Sequence, residues 1–180
     1  MHLSRTWLGD HHKYHTDYSV AGIPLIRPFM GCESQGTLGN FAYSTFELPH
    51  GDTKSYGFYI RHPELGKLLF LTDFEFCPFD MSKLKVNHIL IEANYQLDMV
   101  DTDAANFEHK VRGHCSLDTA TEFVRHNNST ELRNVVLIHG SDATLDGKHA
   151  VDEIKSVVDA DVNVVQAHRG LEIELSKEVF

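Results

Sequence analysis

Short unbroken apolar runs, each closed by a polar residue, punctuate this 180-residue chain. Leu68 to Leu71 and Val86 to Ile91 have the length and composition of strands buried on both faces, and Asn134 to Ile138 repeats the pattern. Tyr43 to Leu48 instead alternates apolar and polar positions, as a half-buried strand does, and Pro49 stops it. Tyr56 to Arg61 and Lys67 to Leu71 flank the turn sequence PELG and predict a hairpin. Helical spacing enters later. Leu117, Ala120, Phe123 and Val124 share one face behind an N-cap at Ser116, and Ala150, Val151, Ile154, Val157 and Val158 mark a second amphipathic helix. Val162 to Val165 and Leu171 to Leu175 are expected as closing strands, and Ile23 to Ile26 as a short early one stopped by Pro28. A short helix is expected within Thr6 to Val20, starting near Asp10. Gly31 to Asn40 reads as a glycine-dotted loop, and the polar segment Gln96 to Arg112 is long enough to fold over a site as a lid. Buried strands mixed with amphipathic helices predict an α/β fold, organised as one domain over residues 1–180.

Composition narrows what such a fold would do. Hydrophobic residues make up 42% of the chain, enough for a core. Sixteen Lys and Arg against 26 Asp and Glu give a formal charge of -10, which argues against a long nucleic-acid ligand and leaves room for a small anion. The N-terminal MHLSRTWLGDHHKYH lacks the apolar core of a signal peptide, and no apolar run approaches a membrane span, so a cytoplasmic protein is expected. Cys32, Cys77 and Cys115 have no CxxC spacing, and buried reduced thiols are expected rather than disulfides or a thiolate zinc site.

The candidate chemistry sits where the buried strands end. Asp73 follows the first run and Glu92 the second, at the strand ends where α/β folds place their sites. A carboxylate there is costly to desolvate unless a cation or hydrogen-bond donors offset it. Histidine is the matching partner among the 13 present: His50 follows the strand ending at Leu48, His139 follows NVVLI, and His114 precedes the Ser116-capped helix. Asp10 and His11 crowd an expected helix start, while His12, His15 and His168 read as surface residues. Clustered carboxylates and imidazoles of this kind are the ligands of a metal site.

Taken in order, TWLGDH, LPHGD, LFLTD, EANY, GHCS and VLIHGS resemble the motifs of the metallo-β-lactamase fold superfamily of binuclear hydrolases, in particular its ribonuclease Z-like and phosphodiesterase-like branches. The resemblance covers nearly the whole chain and implies an αββα sandwich. It implies that His50 is the superfamily's single histidine, Asp73 its bridging aspartate and His139 its last histidine. TWLGDH aligns with HxHxDH but carries Thr6 and Leu8 in place of the first two histidines, retaining Asp10 and His11. The first metal position then keeps only His50 and Asp73, too few to hold zinc tightly, whereas the second keeps Asp10, His11, Asp73 and His139. One zinc per chain is the expectation, with manganese or iron compatible with the same ligands. The superfamily also places strands before its first motif, and this sequence has five residues before Thr6, so the sandwich is expected to be incomplete at its N-terminal edge. A homodimer or a partner chain would cover that edge. The implied activity is hydrolysis of a small phosphodiester, such as a cyclic nucleotide or short oligonucleotide, by a metal-bound hydroxide formed as the cation lowers the pKa of water to roughly 7. His114 would protonate the leaving oxygen and Glu92 would orient it. The rival expectation is a catalytically impaired binding or assembly module with the same fold.

Overall fold

The computed structural model describes residues 27–28 and 33–178. Asp10 and His11 lie outside the described residues, as do Cys32, the segment expected to be helical within Thr6 to Val20 and the strand expected at Ile23 to Ile26. A two-residue strand β1 (Arg27–Pro28) pairs in parallel with β6 (Phe79–Asp80). The remaining strands form one seven-stranded sheet in the order β2 (Ser34–Leu38), β3 (Phe41–Leu48), β4 (Ser55–His62), β5 (Gly66–Leu71), β7 (His88–Glu92), β8 (Asn134–Ile138) and β9 (Asn163–Gln166). Strands β2 to β5 are an antiparallel meander, and β5, β7, β8 and β9 are parallel. No second large sheet occurs among the described residues.

The parallel half is built from the apolar runs. Register aligns Leu69, Ile89, Val135 and Val164 in one row and Leu71, Ile91 and Leu137 in another. All of these are buried in the central core. Two helices supply the covering layer, α2 (Leu117–Asn127) and α3 (Gly147–Lys155), which follow α1 (Phe107–Gly113) in the chain. Leu117, Ala120, Phe123 and Val124 of α2, with Ala150 and Ile154 of α3, join the same core. Ser116 Oγ accepts the Thr119 amide at 3.1 Å and Asp146 Oδ1 those of Lys148 and His149, so each helix starts on a side-chain cap. Val157 and Val158 lie beyond the end of α3 but still pack against the core.

Three expectations change. Residues 34–38 of the expected Gly31 to Asn40 loop form β2, because Leu38 pairs with Phe41 and leaves Gly39 and Asn40 as a two-residue turn. Gly39 takes φ 59°, a conformation that hairpin loops of this length demand and glycine adopts freely. Leu171 to Leu175 is not a strand. Leu171, Ile173 and Leu175 are half-buried and Glu172 and Glu174 exposed, so the alternation reflects a chain lying along the surface with no ladder partner among the described residues. The segment Gln96 to Arg112 holds a 3-10 turn at Leu97–Met99 and most of α1, whose single buried apolar residue before Gly113, Val111, leaves no helical periodicity to read. Among the described residues no helix is long and apolar enough to cross a membrane.

Candidate metal centre

The parallel strands β5, β7 and β8 deliver their last residues to one edge of the sheet. Leu71, Ile91 and Leu137 are in register, so Asp73 and His139 each lie two residues past that level on the strands flanking β7, and Glu92 lies one residue past it between them. Asp73 and His139 share an unusual backbone, with φ of 52° and 53°. Aspartate and histidine tolerate the left-handed region better than most non-glycine residues, but it still costs energy that the surroundings must offset. Asn94 does so for His139 by donating its side-chain amide to the His139 carbonyl at 2.7 Å.

Glu92 is the centre of the group and is wholly buried. Its Oε1 accepts from His114 Nδ1 at 2.7 Å and lies 3.3 Å from His139 Nδ1, while Oε2 accepts the Phe74 amide at 3.3 Å. Asp73 Oδ1 is 3.4 Å from the same His139 nitrogen. His114 reaches the group because the chain around it pairs with the segment after β7: Tyr95 bridges Ser116 in parallel, the Asn94 amide donates to the Cys115 carbonyl at 2.8 Å, and the Leu117 amide donates to the Tyr95 carbonyl at 2.8 Å. One ligand atom each from Asp73, Glu92, His114 and His139 falls within 4.8 Å of the others.

Asp73 and His139 are spaced to share a cation of the expected kind. A tetrahedral ion with bonds of about 2.0–2.2 Å holds its ligand atoms roughly 3.5 Å apart. The separations of 3.4 Å from His139 to Asp73 and 3.3 Å from His139 to Glu92 match that spacing. The 2.7 Å contact between His114 and Glu92 is instead a hydrogen-bond distance. Neither described cysteine contributes: Cys77 and Cys115 are buried, and burial pushes the Cys77 thiol up to about 12 and that of Cys115 well above its ordinary value.

His50 stands beside this group. Its Nδ1 donates to the Gly113 carbonyl, which leaves Nε2 as the lone-pair nitrogen, and its ring is 5.7 Å from that of His114. The structure therefore brings together Asp73, Glu92, His114 and His139, with His50 at the border, whereas His168 is exposed as expected. His109, on α1 within the expected lid, places its ring 5.9 Å from His114 and was not legible as a site residue. Neither was Lys110, whose Nζ donates to Asn94 Oδ1 at 3.1 Å and Thr144 Oγ1 at 3.0 Å. Burial lowers the Lys110 pKa, opposed by the Glu92 charge. Lys110 and the His139 carbonyl thus fix the Asn94 amide from its two ends, tying α1 to the loops after β7 and β8. Nearby, burial raises the Glu75 carboxyl to about 7 against the lowering charge of Arg112.

No family model and no curated protein matches the sequence. Solved structures do match. One is the metallo-β-lactamase fold protein YhfI from Bacillus subtilis, with a TM-score of 0.55 and 14% identity over 79% of this chain and 53% of that one. Another is described as a new diphosphatase from the PhnP family, with a TM-score of 0.52 and 17% identity over 81% of this chain and 48% of that one. The chain spans about half the length of these structures. With its meander leading into parallel strands whose ends gather acids and histidines, this chain has the metallo-β-lactamase fold.

Proposed function

We propose that this chain is a metal-dependent hydrolase acting on a small phosphodiester. The observation that carries the proposal is the gathering of Asp73, Glu92, His114 and His139 at the ends of adjacent parallel strands and the capped helix beside them. Asp73 and His139 would hold the cation, joined by Asp10 and His11 as the superfamily resemblance implies. Zinc suits these ligands, as do manganese and iron. Once bound, the cation would supply an acidified water and screen charge developing at phosphorus.

The chain's own residues divide the remaining work. His114 Nδ1 is held by Glu92, which orients the ring and leaves Nε2 to carry a proton. That nitrogen would deliver the proton to the leaving oxygen, and the buried Glu92 carboxylate would stabilise the imidazolium before transfer. Lys110 and Asn94 would hold the His139 loop in place. The formal charge of -10 favours a compact substrate over a long polyanion. The diphosphatase among the structural neighbours supports phosphorus chemistry.

The test is metal content of protein purified without a histidine tag, together with turnover of bis-p-nitrophenyl phosphate. Asp73→Ala and His139→Ala should lose both metal and turnover. His114→Ala should keep the metal and lose most of the turnover, since a general acid contributes about 10²–10⁴-fold. A metal-loaded wild-type chain that hydrolyses no phosphodiester would replace the enzyme with a metal-binding module.

A further inference from the structure

At the other end of the parallel strands, about 20 Å along the sheet from the candidate metal centre, lies a cleft of ≈ 410 Å³. Residues on β4 and β5 and just ahead of β7 and β8 line it side by side. Arg61 pairs with Lys67, the Lys67 carbonyl accepts the Asn87 amide at 2.8 Å, and the Asn87 carbonyl accepts the Arg133 amide at 2.8 Å. Lys177 joins from the C-terminal segment, which is anchored by its amide on the Glu64 carbonyl at 3.1 Å. The cleft wall thus carries four Lys and Arg against two acids, Glu131 and Glu178, in a chain whose formal charge is -10. A concave positive region in an anionic protein concentrates small anions.

The cations differ in how far they are already engaged. Lys67 Nζ donates to the Leu84 carbonyl at 2.9 Å and lies 3.8 Å from Glu131. Arg133 Nη1 donates to the carbonyls of Thr130 at 2.8 Å and Leu132 at 3.0 Å, and its Nε is buried with no hydrogen-bond partner among the described residues. That nitrogen is too buried to reach a ligand, so Arg133 offers the cleft its charge rather than this donor. Guanidinium groups match the oxygens of phosphate.

We infer that this cleft binds a compact phosphate-bearing anion, held by Arg61, Arg133 and Lys177 and independent of the metal centre. Inorganic pyrophosphate, titrated calorimetrically at low salt into chelator-treated full-length protein, is the probe. Saturable binding is expected, weakened by added salt. Arg133→Gln and Lys177→Gln should each weaken it about tenfold, the loss of one charge-assisted contact, and His114→Ala, at the metal centre, should leave it unchanged. Lys177 is exposed, so its variant carries the test if Arg133→Gln does not fold. Absence of saturable binding to wild-type protein overturns the inference. So does binding that survives both substitutions, or that disappears with His114→Ala, which would place the anion at the imidazoles of the metal centre.

Discussion

Removing the His114 imidazole should destabilise the metal-free protein, because it strips a donor from a carboxylate with no access to water. Glu92 is 0% exposed and His114 17%. Deleting one partner of a fully buried ion pair costs roughly 3–5 kcal/mol, an upper bound for a histidine that is 17% exposed. Two features lower that figure here: the Phe74 amide still donates to Oε2 at 3.3 Å, and His139 Nδ1 remains 3.3 Å from Oε1. The residual cost of His114→Ala is then about 2 kcal/mol, near the value of a single hydrogen bond to a charged group. For a domain of this size that lowers Tm by roughly 4–8 °C. Urea melts of chelator-treated protein would measure it, beside Glu92→Gln and the double variant. With a neutral amide at position 92 the lost donor is worth about 1 kcal/mol or less, so the cycle should show a coupling of about 1 kcal/mol. A His114→Ala loss below about 0.5 kcal/mol, or an equal loss in both backgrounds, would show that Glu92 does not depend on His114 and would remove the pair from the proposed chemistry.

Two further outcomes follow from the packing. Burial raises the Glu75 carboxyl from 4.5 to about 7, so the stability present below pH 4.5 is lost progressively as pH rises towards 7. Glu75→Gln should therefore stabilise the metal-free protein at pH 8 by up to about 3 kcal/mol and change little at pH 4, as urea melts at the two pH values would reveal; equal effects at both would contradict the shift. A Cβ at Gly57 would meet the Phe46 ring at 2.5 Å and Leu71 Cδ2 at 2.9 Å. Gly57→Ala should accordingly cost about 1–3 kcal/mol by overpacking, and a neutral melt would show that β3 and β5 leave more room there than the structure does.

Periodicity and strand chemistry made much of this protein legible without coordinates. Continuous apolar runs at Leu68 to Leu71 and Asn134 to Ile138 specify strands buried on both faces, because such runs have nowhere else to place their side chains. The polar residues that close them, Asp73 and His139, had to lie at strand ends, and the parallel register carried them to the same edge. Spacing also placed Ser116 as a cap and His114 just ahead of it. Tertiary structure decided what local pattern does not encode. The β2 hairpin depends on pairing with β3, and the alternating segment at Leu171 to Leu175 pairs with no strand among the described residues. The partners of Glu92 arrive from 18 to 47 residues away, and Lys110 meets Asn94 from a short helix with no apolar stripe. Such contacts come from chain crossings, which no window of sequence contains. The basic cleft has the same origin: Arg61, Lys67, Arg133 and Lys177 are scattered along the chain, and only the pairing of β4, β5, β7 and β8 with the returning C-terminal segment places their charges side by side.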